Sequence, residues 1–461
     1  MANPIPNLFK IPELKEKILF TLLTLFIYRI GAHITAPGLD VAALQAQFGQ
    51  LQNTALGLYD LFVGGALQRA TIFSMGIMPY ISASIMFQLL AAVFPTVEKM
   101  QKEGEDGRKK LTQWTRYATV ALAFVQGWGY AVFLESMQGA VRTPGIGFLI
   151  QTAVIMTAGA VFVMWLGEQI SERGIGNGMS ILIFAGIVVG LPRGVVDLID
   201  KARTDAWGSF TAPAMALLVV LMLAVVGFIV FVERSERRIP VQYAKRVVGR
   251  KIMGGQSTHL PLRVNAGGVM PVIFASSILT LPQTAGFAFR DNRYFGGLIR
   301  ALGWGEPLYT LLYAVGIIFF AYFYVSIVFN PNEVADNMRK YGGFIPGIRP
   351  GRRTADYINE SLTRITLVGG LYLIIISFLP EWMIAGIHLN HLPGALGAFF
   401  ERLPTWVTNG LGVSFYFGGT SLLIVVGVAM DTVTQIEAQL IMRHYEGFSP
   451  RSRIRGRRTW A

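Results

Sequence analysis

Apolar residues along this chain fall into long blocks, separated by short polar stretches. Ten blocks are of membrane-spanning quality: roughly 18–36, 73–95, 115–134, 148–167, 178–192, 213–232, 266–288, 308–329, 364–386 and 411–430. A helix rises 1.5 Å per residue, so about twenty apolar residues cross the hydrocarbon core. The pattern predicts an all-α polytopic membrane protein with ten transmembrane helices. The fifth block is the shortest. An even number of spans puts both termini on the same side.

The second block, Phe73 to Phe94, carries a break at Gly76 and Pro79 in its first turns. A half-length apolar piece, Leu56 to Phe73, precedes it and is interrupted by Gly64-Gly65. The chain is therefore expected to enter the membrane part-way, bend, and then cross. Irregular backbone at that depth survives only where it lines a cavity or is buried in protein, so a broken pair points to a pathway. The motif returns in the other half: Gly76-Ile77-Met78-Pro79-Tyr80-Ile81-Ser82-Ala83-Ser84 aligns with Gly268-Val269-Met270-Pro271-Val272-Ile273-Phe274-Ala275-Ser276, with six of nine positions identical. This predicts two pseudo-symmetric five-helix halves. The expected organisation is an N-terminal segment 1–17, a first half 18–192, a hinge 193–212, a second half 213–430 and a basic tail 431–461.

Composition agrees. Of the 461 residues, 53% are hydrophobic and 15% charged, and mean hydropathy is +0.49; soluble domains carry about 25% charged residues. The 51 glycines permit close helix approach and irregular backbone. The net charge of +13 is unevenly placed: thirty of the 40 Lys and Arg fall on the side of the termini, nine on the other, and Arg29 lies inside the first span. Such asymmetry makes the termini cytoplasmic. With no cysteine, disulfides and thiol chemistry are excluded.

Between the blocks, Ile11 to Lys15 reads as a surface helix and Ile18 to Thr35 as a retained anchor rather than a cleaved signal. Arg29 is expected to snorkel toward the outer interface. Glu98 to Arg116 reads as a solvated turn. Gly167 to Gly178 lacks the Lys-Ser or Lys-Thr of a phosphate loop and reads as a tight turn. Two large basic loops stand out, 233–265 and 330–364. In the first, Arg237 to Tyr243 alternates like a hairpin strand that Gly254-Gly255 could turn. In the second, glycines and prolines from Gly342 to Gly351 stiffen the tip that carries Arg349. Shaped basic loops suit an anionic partner such as RNA, an acidic protein surface or lipid headgroups. Trp382 and Trp406 read as interface anchors, and His388 and His391 as structural.

Catalytic motifs are absent from the sequence: no nucleophile elbow, HExxH, Walker loop or carboxylate pair. No enzyme activity, cofactor or metal is implied. Glu135, Glu168 and Asp431 sit near span ends, and the interior is nearly free of acids, which argues against ion-coupled transport. What remains inside is aliphatic, including Ile77, Ile81, Met179, Ile183, Ile273 and Ile424. A narrow apolar ring excludes water and ions by dewetting. A solute transporter would need a polar midplane site, and none is found. A docking anchor without conduction would not need a broken second span.

The chain resembles the SecY family of protein-conducting channels over nearly its whole length. The resemblance is carried by GGALQRATIFSMGIMPYISASI (64–85), MWLGEQISERGIGNGMSILIFAGIV (164–188), ERRIPVQYAKRVVGRK (236–251), QSTHLPLRVNAGGVMPVIFASSI (256–278), FNPNEVADNMRKYGGFIPGIRPG (329–351) and FYFGGTSLLIVVGVAMDT (415–432). It implies two halves around an hourglass pore, with Ile77, Ile81, Met179, Ile183, Ile273 and Ile424 as the ring. Residues of about 56–69, with Leu58, Tyr59, Asp60, Leu61, Phe62, Val63, Gly64 and Gly65 at their centre, would be a re-entrant plug. Ser82, Ser84, Gln88, Ser276, Ser277 and Leu281 would face the lateral gate between the second and seventh spans. Arg250, Lys251 and Arg349 would meet the motor ATPase SecA or the ribosome. Implied partners are the small membrane subunits SecE and SecG, preproteins and their signal sequences, and membrane lipids. The implied location is the bacterial cytoplasmic (inner) membrane. The outer loop 381–410 is longer than in some relatives.

Overall fold

The computed structural model describes residues 12–48, 59–60, 62–137, 139–204, 211–243, 246–248, 251–253, 257–286, 301–302, 306–384 and 419–448. In chain order the first half contains α1 (Pro12–Gly31), α2 (Val41–Phe48), α3 (Met78–Val93), α4 (Pro95–Lys102), α5 (Glu105–Ser136), α6 (Ile146–Arg173) and α7 (Gly178–Arg203). The second contains α8 (Thr211–Arg234), strands β1 (Glu236–Tyr243), β2 (Arg246–Val248), β3 (Lys251–Met253) and β4 (Ser257–Arg263), α9 (Met270–Gly286), α10 (Pro307–Val328), α11 (Pro331–Lys340), β5 (Gly343–Phe344), α12 (Arg352–Ile384) and α13 (Gly419–Phe448). Among the described residues, each of the ten predicted blocks overlaps one of these helices. Among the described residues, seven helices are long and apolar enough to cross a membrane; α3 and α9 are shorter apolar helices.

Three boundaries differ from expectation, each for a local reason. Helix α3 starts at Met78, not Phe73. Gly76 has φ +53°, a left-handed conformation that ends any helix entering from Phe73, and Pro79 restarts it where no N–H is needed. The stretch 98–116 is no solvated turn: α4 and α5 fill it, joined at Gly104 with φ +84°. A Cβ on Gly107 would lie 1.8 Å from the Met100 carbonyl oxygen, so only glycine lets the two helices pack there. The expected hinge 193–212 is helical as far as Arg203. Leu191, Val195 and Ile199 continue the helical spacing past Pro192, which removes one hydrogen bond without ending the helix.

The two large basic loops form one body. β1 pairs antiparallel with β4, from Glu236↔Arg263 to Gln242↔Ser257, and β5 from the second loop adds to the other edge of β1 through Gln242↔Phe344 and Tyr243↔Gly343. Between β1 and β4 in the chain, β2 pairs antiparallel with β3, from Arg246↔Met253 to Val248↔Lys251. Gly254-Gly255, expected to make the turn, lie outside the described residues. Ile239 and Val241 point inward from β1 into a small core with Leu262, Met338, Ile345, Ile358 and Leu362. A second, larger core runs through the helices of both halves.

Candidate functional site

The site is built where the two repeated motifs begin their helices. Gly76 and Gly268 have φ of +53° and +57°, and Met78-Pro79 and Met270-Pro271 open α3 and α9. The first turns of both helices line one open cavity of about 520 Å³: Tyr80 and Ile81 from α3, and Met270, Ile273 and Phe274 from α9. Helix α7 adds Met179, Ser180 and Ile183. Polar groups line the rest: Thr112 and Arg116 of α5, Glu168, Ser171 and Glu172 of α6, Asn177, and Gln435 of α13. Arg116 and Glu168 form a bidentate pair, Nε to Oε1 at 2.9 Å and Nη2 to Oε2 at 2.8 Å, tying α5 to α6.

The six residues expected to form a ring are brought together in part. Ile81, Met179, Ile183 and Ile273 line the cavity. Ile77 and Ile424 are buried in the same hydrophobic core but are not part of that lining. All these isoleucines are buried at 7% exposure or less, so none faces lipid.

One turn beyond Ile183 along α7, Gly186 receives the re-entrant segment. A Cβ there would lie 2.2 Å from the Phe62 carbonyl oxygen, and one on Gly64 would lie 2.9 Å from the Gly186 carbonyl oxygen. Tyr59, Asp60, Phe62 and Val63 are helical; Gly64 and Gly65, at φ +71° and +79°, turn the chain out of that helix. Leu58 and Leu61 lie outside the described residues. Carbonyls left without helical donors at this depth cost several kcal/mol each unless paired. Side chains supply much of the pairing, beside backbone bonds such as Ala70 N–H to Leu67 O at 2.8 Å. Tyr59 donates to Met75 O at 2.7 Å, Tyr130 to Leu67 O at 2.7 Å, Tyr28 to Val63 O at 3.4 Å and Arg29 Nη1 to Gly64 O at 3.0 Å. Asp60 Oδ1 accepts from the N–H groups of Leu67 and Gln68 at 2.8 and 3.0 Å. Arg29 thus does not snorkel away from the protein, as expected, but reaches into it. The sequence offered no signal for these donors, because their acceptors are backbone carbonyls.

Helices α3 and α9 also touch directly. Ser277 Oγ donates to Met78 Sδ at 3.7 Å, and both residues are buried. Gln88 Nε2 donates to Ser84 Oγ at 3.2 Å on the cavity wall, while Ser276 bonds its own helix at Ile273 O. Ser82 is buried on α3; the side chain of Leu281 lies outside the described residues. The start of α9 is fixed from below. Asn265, 5% exposed, donates to Glu233 Oε1 at 2.7 Å and Gly268 O at 3.1 Å. Val264 N–H donates to Ser235 O at 3.0 Å, joining the ends of β4 and α8.

At the sheet, Arg349 is exposed on a tip shaped by Gly347 at φ +81° and braced by Thr354 Oγ1 donating to Arg349 O at 3.1 Å. Ile345, buried, pins that tip to the sheet's core. Arg352 and Arg353, close to it in the chain, and Arg237 and Arg238 on β1 are also exposed. Arg250 lies outside the described residues, as does the side chain of Lys251. So do His388, His391 and Trp406, and the side chain of Trp382. Among the described residues no group of three or more His, Cys, Asp or Glu could hold a metal.

Comparison with known proteins bears on this arrangement. The SecY family model matches residues 71–433. The chain is 46% identical over 459 residues to the protein translocase subunit SecY of Escherichia coli strain K12, covering 96% of each. It is 41% identical over 466 residues to that of Thermotoga maritima, covering 99% of this chain and all of the relative. Similar solved folds include one described as "The structure of a protein conducting channel", at TM-score 0.64, 18% identity and coverage of 97% of this chain and all of the other. Another, with TM-score 0.60, 17% identity and the same coverages, is Sec61 in the canine ribosome-channel complex from the endoplasmic reticulum.

Proposed function

Because this chain belongs to the SecY family, we propose a working arrangement for its described residues as those of a protein-conducting channel subunit. The protein is a multi-pass membrane translocase subunit, and its family consists of channels rather than enzymes. It passes unfolded preproteins across the membrane and membrane-protein segments sideways into lipid, driven by a partner. The observation that carries the arrangement is the cavity: an open, polar-lined recess ends on Ile81, Met179, Ile183 and Ile273, and the re-entrant segment rests on the next turn of α7. Aliphatic side chains offer a moving polypeptide no hydrogen bond to hold it, yet resist wetting when it is gone. Ile77 and Ile424 complete the ring.

The remaining roles follow as parts of this proposal. The re-entrant residues, with Leu58 and Leu61, are the plug. Ser82, Ser84, Gln88, Ser276, Ser277 and Leu281 mark the lateral gate. The shared sheet of the two basic loops, with Arg349, Arg250 and Lys251, docks SecA or the ribosome. SecE and SecG cover part of the lipid-facing surface. The two halves, 18–192 and 213–430, move about the connection 193–212. The chain sits in the bacterial cytoplasmic (inner) membrane with both termini cytoplasmic, a reading supported by its charge asymmetry.

A stalled preprotein tests the path. Photo-reactive probes at Ile81 and Ile273 crosslink to the translocating chain, and a probe at the lipid-exposed Leu223, 68% exposed on α8, does not. Crosslinks at Leu223 alone overturn the proposal.

A further inference from the structure

Arg29 is a charged residue in the outer half of a spanning helix, and the pore mechanism above does not use it. Such residues are costly in a membrane and persist where a polar partner meets them. The partner here is specific. Its Nη1 donates to the carbonyl of Gly64 at 3.0 Å, while the neighbouring Tyr28 hydroxyl donates to the carbonyl of Val63 at 3.4 Å. Two consecutive residues of α1 therefore hold two consecutive carbonyls of the re-entrant segment, at the point where it leaves its helical turn. Gly64 turns the chain here at φ +71°, a left-handed conformation that favours glycine. On the other side the same peptides press on Gly186 of α7, with no room for a Cβ. The segment is thus clamped between a charged donor on α1 and a bare glycine on α7.

We infer that Arg29 is the latch of the re-entrant segment: its hydrogen bond to Gly64 O sets how readily residues 62–65 leave α7. This rests on the reading of that segment as the plug. A guanidinium bond to a neutral carbonyl is stronger than a neutral pair, so of the two bonds from α1 it contributes the larger share of the hold on residues 62–65. The Tyr28 bond is longer and neutral, and its share is smaller. Arg29 is a positioning residue; it acts on the pore only through the segment it holds.

The absence of cysteine makes the test clean. Val63, 2% exposed, is replaced in the full chain as Val63→Cys, and the protein is reconstituted into vesicles. Labelling by a membrane-impermeant maleimide then reads the open population. Adding Arg29→Met raises the labelling rate about tenfold, Arg29→Lys raises it less, and Tyr28→Phe about threefold, because reactivity of a buried site tracks its local opening equilibrium. An unchanged rate in Arg29→Met overturns the latch. Met156→Cys on α6, a site with 0% exposure, reports general loosening. If Met156→Cys also reacts faster with Arg29→Met, Arg29→Lys decides: faster Val63→Cys labelling at a parental Met156→Cys rate supports the latch, and a parental Val63→Cys rate overturns it. Ion conductance of the same variants separates the two readings. Faster labelling with added conductance supports both. Faster labelling without it keeps the latch and removes the plug.

Discussion

The two repeated helix starts share a sequence, a left-handed glycine and a methionine-proline opening, yet they sit in opposite kinds of surroundings. The first, at Gly76, is preceded by irregular backbone whose carbonyls are met by separate side-chain donors, Tyr28, Arg29 and Tyr130 from outside the segment and Tyr59 from within it, beside one isolated backbone bridge, Thr35↔Thr71. The second, at Gly268, is preceded by strand β4 in a continuous ladder and by Asn265, which joins it to α8. Adjacent bonds of a ladder support one another, whereas separate donors are released more independently. The repeat thus dictates the kink, and the neighbours decide how what precedes it is held.

The strongest way to break this contrast is Gly186→Val. Its side chain would meet the Phe62 carbonyl at 2.2 Å, a backbone atom that cannot swing aside. Overpacking of this kind costs about 1–3 kcal/mol. The segment lifts from α7 and ion leak through reconstituted channels rises about tenfold or more, with the thermal midpoint lowered less than the leak implies. A wild-type leak would mean that the segment does not seal.

Asn265→Ala probes the fixed side. It takes the Asn265 donor, on a residue only 5% exposed, away from both Glu233 Oε1 and Gly268 O. The cost is about 1–3 kcal/mol of stability, read as a lower unfolding midpoint. The leak stays at the parental level, because nothing mobile is attached there. A leak as large as that of Gly186→Val would erase the distinction between the two starts.

The glycines themselves give a finer comparison. Gly76→Ala and Gly268→Ala pay the same backbone strain, about 1–2 kcal/mol for a left-handed residue. They differ in what the methyl meets: Val63 Cγ atoms at 3.2 Å in the first case, and nothing within 4 Å in the second. Both variants lose similar stability, and only Gly76→Ala pushes on the re-entrant segment. Equal leaks from the two would show that the kink alone controls the seal.

The sequence carried the helices because hydrophobic blocks of spanning length leave little freedom. It carried the kinks because glycine and proline act locally. The merging of two distant loops through Gln242↔Phe344 was not legible, since a two-residue edge strand has no period to read. Arg29 was misread for a related reason: its partner is a carbonyl that exists as an open acceptor only once Gly64 has turned. The α4–α5 stretch was misread because its charges suggested solvent, while packing of Gly107 on Met100 favoured helix. Interactions with backbone atoms leave no trace in side-chain identity, and the re-entrant segment is held mainly by such interactions.

The smallest effect belongs to the contact that joins the two starts. Ser277 Oγ donates to Met78 Sδ at 3.7 Å, from the second turn of α9 to the first residue of α3. Sulfur is a weak acceptor, so Ser277→Ala costs about 0.5 kcal/mol in stability. Its value lies in coupling. If α3 and α9 separate when a segment exits sideways, this bond breaks in that step, and Ser277→Ala raises lateral insertion of a marginally apolar segment about twofold. Met78→Leu has the same effect, and the double variant adds nothing further, because either change removes the one bond. Strict additivity of the two would mean that serine and methionine act separately and that the two helix starts are only neighbours.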